Sequence, residues 1–303
     1  MASPKEDHMA EKVGFIGLGV MGAPMAKHLA AKYACVVFDI DESRRGLISG
    51  AGKAGSVAKV GRDADVVFLS LPGSEIVRDV VLGERGLKSV MKPGSTIVDT
   101  STTSPTVSQY VAKSVDSVGI SFLDSPVSGG EKAAIEGTLS LMVGGSEDVF
   151  KRRLEFLRTI GTSVVWMGGS GMGGVAKLVN NLIVGITFVA VAEGFALGTK
   201  SGLDPNVLYQ AIRGGWASSK VLDVSAEAVL ARNFKPGGTV DIHWKDLGYA
   251  LSLARDMDVP VPATALAHEV FKAARASGRG KLAQPAIVQM WENLLKIQVG
   301  SEE

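Results

Sequence analysis

The sequence predicts an α/β domain built on a doubly wound, mostly parallel sheet, followed by an all-α C-terminal domain. Three observations carry that expectation. Short apolar runs rich in Val, Ile, Leu and Phe alternate with amphipathic stretches through the first half, as strands and crossover helices do. The alternation stops after residues 164–167, at a Gly-rich run over 168–174 that reads as a hinge, and apolar residues recur only at helical spacing from there on. The chain has 303 residues, beyond the size at which one hydrophobic core usually stops growing. The expected division is a disordered polar leader over 1–11, an α/β domain over 12–170 and a helical domain over 171–303.

Strand signals fall at 13–16, 34–39, 66–69, 96–99, 121–124 and 139–143. Amphipathic helical stretches separate them at 21–31, 76–82 and 105–115, and Pro72-Gly73 and Pro93-Gly94 punctuate strand ends. Past the Gly-rich run a long apolar helix is expected over about 175–201, then helices over 205–213, 221–231, 242–256, 263–276 and 285–296. The most hydrophobic stretch, 182–192, is too short to span a bilayer and reads as part of a buried helix.

Composition excludes several classes. The 32 basic side chains nearly cancel the 31 acidic ones, leaving a net charge of +1 and no electrostatic support for a nucleic-acid partner. Cys35 is the single cysteine; it lies in an apolar run and reads as a core residue. No paired Cys/His spacing suggests a metal site. The first twelve residues lack the apolar stretch of a signal peptide, and Met9 offers a second start, so a cytoplasmic protein without a membrane segment is expected.

The first strand runs into Gly17-Leu18-Gly19-Val20-Met21-Gly22, a G-x-G-x-x-G pattern at a strand-to-helix turn. In such a turn the first glycine permits the bend, the second lets a pyrophosphate approach the backbone, and the third allows close helix packing. The pattern alone is weak. Here the strand, the helix and an acidic residue at the end of the second strand, Asp39, are all present, which is the fingerprint of a dinucleotide-binding Rossmann domain. A carboxylate at Asp39 can accept from the adenosine ribose 2′-hydroxyl and would repel a 2′-phosphate, favouring NAD(H) over NADP(H). Arg44 and Arg45 could attract that phosphate, or lie on a solvated helix face.

Two further constellations carry chemistry. After a strand, Asp124-Ser125-Pro126-Val127-Ser128-Gly129-Gly130 offers a hydroxyl and closely spaced N–H groups that can hold a carboxylate; by composition it is equally a Gly-rich loop without a ligand. On the long helix, Lys177 and Asn181 are four residues apart and share a face among apolar neighbours, where polar groups are costly to bury without partners. A lone lysine there would snorkel to solvent; the matching asparagine and the preceding glycines point to a site.

Together these residues resemble the β-hydroxyacid dehydrogenase (3-hydroxyisobutyrate dehydrogenase-related) family, from Lys12 to about Val299. Four motifs stand in the family's order: the stretch 14–22, the loop 124–130, Gly173-Gly174-Val175-Ala176-Lys177 with Asn180-Asn181, and Lys245-Asp246-Leu247. The resemblance implies that Lys177 is catalytic, that Ser128, Gly129 and Gly130 anchor a substrate carboxylate, and that Asn181 orients the substrate or the lysine. It implies that Leu71, Pro72 and Thr102 line the cofactor site, that Lys245 reaches its nicotinamide end, and that the chain forms a homodimer or homotetramer. The implied activity is a nicotinamide-dependent interconversion of a small β-hydroxyacid and its semialdehyde.

Within the family the C-terminal half is most similar to the tartronate semialdehyde reductase branch, through residues 209–215, 232–237 and 241–243. Branches acting on 3-hydroxyisobutyrate, L-serine, threonate or sulfolactaldehyde share the remaining motifs. Trp216 is larger than the residue usual after Gly214-Gly215, which is expected to alter pocket size, and Asn181 stands where those reductases tend to carry glutamine. Decarboxylating phosphogluconate dehydrogenases share the architecture with a much larger helical domain, and imine reductases replace the lysine. A non-catalytic nicotinamide sensor would leave Lys177 and Ser128 without a purpose.

Reducing an aldehyde leaves negative charge on the carbonyl oxygen, which must be stabilised and then protonated. His28, His243 and His268 stand in no recognised motif. Lys177 is therefore the expected proton donor in reduction and, as a neutral amine, the acceptor in oxidation.

Overall fold

The computed structural model describes residues 11–235 and 237–300. The expected leader lies outside the described residues except for Glu11, whose carboxylate accepts from Arg153 Nη1 at 2.6 and 2.8 Å while Arg153 Nε donates to Thr96 Oγ1. The fold divides into two compact units, the first ending at Lys177 and the second beginning at Leu178.

The first unit holds one sheet of β1 (Val13–Ile16), β2 (Cys35–Phe38), β3 (Gly52–Lys53), β4 (Val66–Leu69), β5 (Thr96–Asp99), β6 (Ser121–Asp124), β7 (Val127–Ser128), β8 (Leu139–Gly144) and β9 (Gly161–Gly168). They run in the order β3-β2-β1-β4-β5-β6-β8-β7, with β9 also paired to β8. All pairings from β1 to β6 are parallel, while β6 and β7 meet β8 antiparallel. The sheet is thus mostly parallel, and its 3-2-1-4-5-6 core is the doubly wound order that reverses between β1 and β4. At that reversal the carboxyl ends of the strands open a crevice suited to a ligand.

β1, β4 and β5 are buried along their whole length, which fits a parallel sheet covered by helices on both faces. Alternation of side chains then fills two cores. Phe15 and Phe68 stack at 6.1 Å on one face, with Leu29 and Phe156, while Ile16, Val67 and Leu69 pack on the other with Val111. Cys35 is buried, and burial pushes its thiol up to about 12, as a core cysteine requires.

Several elements carried too weak a pattern to be expected. β3 and β7 have two residues each, and the helix Glu147–Ile160 is strongly charged along one face. The long helix runs Met172–Lys200 and so begins inside the Gly-rich run expected to be a hinge. Its 29 residues make it long and apolar enough to cross a membrane by length and composition, beyond the 182–192 stretch alone, and 39% of its most apolar window is buried. Core helices of soluble proteins pass the same test.

In the second unit, side-chain caps fix three of the helix starts. Asp204, Ser219 and Thr239 accept from N–H groups two or three residues ahead, at the starts of Pro205–Ile212, Lys220–Leu230 and Val240–Asp256. Phe188, Phe195, Leu247 and Phe271 form its core. Two expected helices end differently: Pro262–Ala274 passes into a wider turn over Arg275–Arg279, and the last segment splits into a 3₁₀ turn, Gln284–Ile287, and the helix Val288–Leu295.

Candidate active site

The glycine turn after β1 shows which of its residues the fold demands. Gly17 has φ +94°, and a Cβ there would fall 2.2 Å from the Ser70 carbonyl oxygen; a Cβ on Gly22 would fall 1.9 Å from the Gly17 oxygen. Gly19 is different. A Cβ on it would meet nothing closer than Arg44 Nη1 at 3.8 Å, so the protein itself does not require glycine there. An open backbone at the N-terminus of the helix Gly22–Ala30 fits a pyrophosphate held by free N–H groups. Leu18 is buried, Met21 half-buried and Val20 exposed.

Asp39 is buried at the end of β2, and it holds this turn. Its Oδ2 accepts from Leu18 N at 2.6 Å and its Oδ1 from Asp41 N at 2.8 Å. A carboxylate has capacity for further donors, so a ribose hydroxyl can still be accepted. Arg45 is engaged with the Asp39 carbonyl oxygen and lies over the Phe38 ring, whereas Arg44 is half-exposed beside Gly19 and paired with Asp41. Leu71 N donates to Ser101 Oγ after β4, next to the exposed Pro72, and Thr102 is half-buried after β5. All these residues therefore stand at the carboxyl ends of β1, β2, β4 and β5.

The loop after β6 follows the same rule. Ser128 is half-buried in β7, while Gly129 (φ +130°) and Gly130 (φ +70°) are exposed and left-handed. They open the helix Gly130–Glu136, whose first N–H groups have no intrahelical acceptor. A hydroxyl beside such N–H groups can bind a carboxylate.

Asp124, which closes β6, does work that sequence reasoning missed. It is 1% exposed. Its Oδ1 accepts from Gly171 N at 2.7 Å and its Oδ2 from Gly174 N at 2.9 Å, at the start of the long helix. Burial pushes its carboxyl up to about 6, against those main-chain N–H groups, which hold it down. This cap explains why Gly173 and Gly174 are helical rather than a hinge. Lys177 lies one turn further on and is half-buried.

In the second unit Asn181 is 6% exposed and its amide has a partner on each side. Its Nδ2 donates to Asp246 Oδ2 at 2.7 Å, and its Oδ1 accepts from Asn180 Nδ2 at 2.9 Å. Asp246 also pairs with Lys245 Nζ at 2.9 Å, and that ammonium lies 4.9 Å from the Tyr249 ring centroid. Buried Asp246 is thus the second residue sequence reasoning missed, although it stands inside the Lys245-Asp246-Leu247 motif. His243 Nε2 lies 3.1 Å from the Asn181 carbonyl oxygen, which makes it part of the helix packing. Trp216, expected to alter pocket size, is fully exposed.

Residues 12–168 match the NAD-binding domain of 6-phosphogluconate dehydrogenase, and residues 171–291 match the NAD-binding region of NADP-dependent 3-hydroxyisobutyrate dehydrogenase. The chain is 40% identical to 2-hydroxy-3-oxopropionate reductase of Escherichia coli, over 93% of this chain and 97% of that protein. It belongs to the β-hydroxyacid dehydrogenase (3-hydroxyisobutyrate dehydrogenase-related) family. It is likewise 37% identical to 2-(hydroxymethyl)glutarate dehydrogenase of Eubacterium barkeri, over 95% of this chain and 97% of that one. The crystal structure of 3-hydroxyisobutyrate dehydrogenase from Salmonella typhimurium superposes with a TM-score of 0.85 at 29% identity, covering 92% of this chain and 99% of that one. The chain is accordingly an NAD(P)-dependent oxidoreductase of the hydroxyacid type, and the glycine turn lies within the span that matches an NAD-binding domain.

Proposed function

We propose that this dehydrogenase reduces tartronate semialdehyde (2-hydroxy-3-oxopropionate) to D-glycerate, preferring NADH, and oxidises D-glycerate more slowly. The observation that carries this reading is the near full-length similarity to the Escherichia coli reductase. The motifs in the second half of the chain support it.

The reduced nicotinamide, when bound, supplies the hydride. The chain's own residues do the rest. Ser128 Oγ and the N–H groups of Gly129 and Gly130 hold the substrate carboxylate, which orients the aldehyde. Lys177 Nζ stabilises the charge growing on the carbonyl oxygen and transfers a proton to it; the amine takes the hydroxyl proton back in oxidation. Asp246 holds Asn181 and Lys245 in one network, so those two groups act from fixed positions. The buried Asp39 carboxylate accepts from a ribose hydroxyl and repels a 2′-phosphate, which favours NAD(H); Arg44 beside Gly19 is the group that would oppose it.

The fold also supports a homodimer or homotetramer. Val179, Ile183 and Leu197 expose an apolar stripe of the long helix, and a groove of about 430 Å³ lined by Ile186, Val191, Phe195, Leu208 and Leu222 lies on the same unit. The cytoplasmic location expected from the sequence belongs to the same proposal.

The test is nicotinamide absorbance with a panel of aldehydes and hydroxyacids. Tartronate semialdehyde should give the highest kcat/KM, and the matching uncharged aldehyde should be turned over poorly. Comparable rates on the uncharged aldehyde would remove the loop's role as anchor. Stronger turnover of 2-(hydroxymethyl)glutarate, the reading favoured by the Eubacterium barkeri relative, or of 3-hydroxyisobutyrate, L-serine or threonate, would assign the enzyme to a sister branch.

A further inference from the structure

We propose that Asp124 is a positioning residue: its carboxylate fixes the start of the lysine helix on the strand end from which the Ser128-Gly129-Gly130 loop departs. The inference rests on the reading of Lys177 and of that loop given above.

The geometry is a two-point hold. Each carboxylate oxygen accepts one main-chain N–H, from Gly171 at 2.7 Å and from Gly174 at 2.9 Å. One hydrogen bond would leave the helix free to turn about its axis. Two bonds, three residues apart on the first turn, fix its rotation, and with it the direction in which Lys177 leaves the helix. The helix N-terminus and its N–H groups favour the charged carboxylate, against the larger cost of burying it.

The joint has no slack. A Cβ on Gly173 would fall 2.3 Å from the Met142 carbonyl oxygen and 2.4 Å from that of Asp124. A Cβ on Gly144 would fall 2.7 Å from both Asp124 carboxylate oxygens. The helix start is therefore pressed against the backbones of β6 and β8. Asp124 itself is anchored on both sides, in register with Asp99 of β5 and Gly144 of β8. Four residues further along the chain stands Ser128, and three residues after Gly174 stands Lys177. One side chain thus ties the carboxylate anchor to the proton donor.

The substitution Asp124→Asn keeps the shape and one acceptor, but its amide NH₂ must face the second N–H. We expect kcat per cofactor-titrated site to fall by about 10- to 100-fold, the scale of a misplaced catalytic group. NADH affinity should stay within about twofold, because the glycine turn lies elsewhere on the sheet. A kcat within twofold of the parent would overturn the proposal. So would a drop in activity that merely follows the fraction of folded, NADH-binding protein, since that is the mark of a purely structural cap. Should Asp124→Asn fail to fold, Asp124→Glu retains the charge one methylene further out; full activity in that variant would equally overturn it. Lys177→Ala serves as the control for the underlying reading. If it keeps turnover, the assignment of the lysine is at fault rather than the role of Asp124.

Discussion

Both oxygens of Asp39 accept main-chain N–H groups, so a change there reaches the glycine turn as well as the ribose. Asp39→Asn is expected to narrow the ratio of kcat/KM for NADH over NADPH and also to weaken NADH binding, because the amide can accept only one of the two N–H groups. Steady-state kinetics with both cofactors checks this. A parent enzyme that prefers NADPH would contradict the account and point to Arg44. Ser128 offers a second test at this scale. Removing one hydrogen bond to a charged group costs about 1.5–3 kcal/mol, so Ser128→Ala should lower kcat/KM by roughly 10- to 100-fold, mainly through KM. An unchanged KM would show that the hydroxyl does not hold the carboxylate.

At the level of elements, the joint between β6 and the long helix makes two demands. Gly173→Ala would drive a methyl group into two carbonyl oxygens, so the first helical turn must move. The expected result is a melting temperature lower by several degrees together with lost turnover. A fully stable, active variant would mean that the helix start tolerates displacement. The second demand concerns pH. The Asp124 carboxyl sits at about 6 in the fold, above its ordinary value of 3.8. The folded chain therefore holds this proton more tightly than the unfolded one, and the associated stability is present below about pH 4 and lost as pH rises through about 6. It amounts to roughly 3 kcal/mol. Asp124→Asn removes that dependence, so the difference in melting temperature should move in the variant's favour between about pH 4 and pH 7. A difference independent of pH would contradict the burial argument.

At the scale of the whole molecule, the mostly parallel sheet and the helical second unit were legible because buried parallel strands and long apolar helices leave strong periodic patterns. What escaped was local or distant in sequence. β3 and β7 are too short to show a period, and the Gly-rich start of the long helix looks like a hinge until a carboxylate 47 residues upstream is seen to cap it. The same holds for the site. Gly17, Gly19, Gly22, Asp39, Ser128 and Lys177 stand in motifs that suggest a role for each; Asp124 and Asp246 stand in such motifs too, but their hydrogen-bond partners are brought near only by folding. The resemblance implies that Asn181 orients the substrate or the lysine; its hydrogen bonds to Asp246 and Asn180 are what the sequence could not show.

The central claim is that Lys177 supplies the proton. The most direct measurement is the turnover of Lys177→Ala with NADH and tartronate semialdehyde, alongside NADH affinity and Lys177→Arg. The account predicts a loss of at least ~10²–10⁴-fold in kcat, NADH binding nearly unchanged, and little rescue by arginine, which keeps the charge but does not readily release the proton. Near-normal turnover in Lys177→Ala would contradict it.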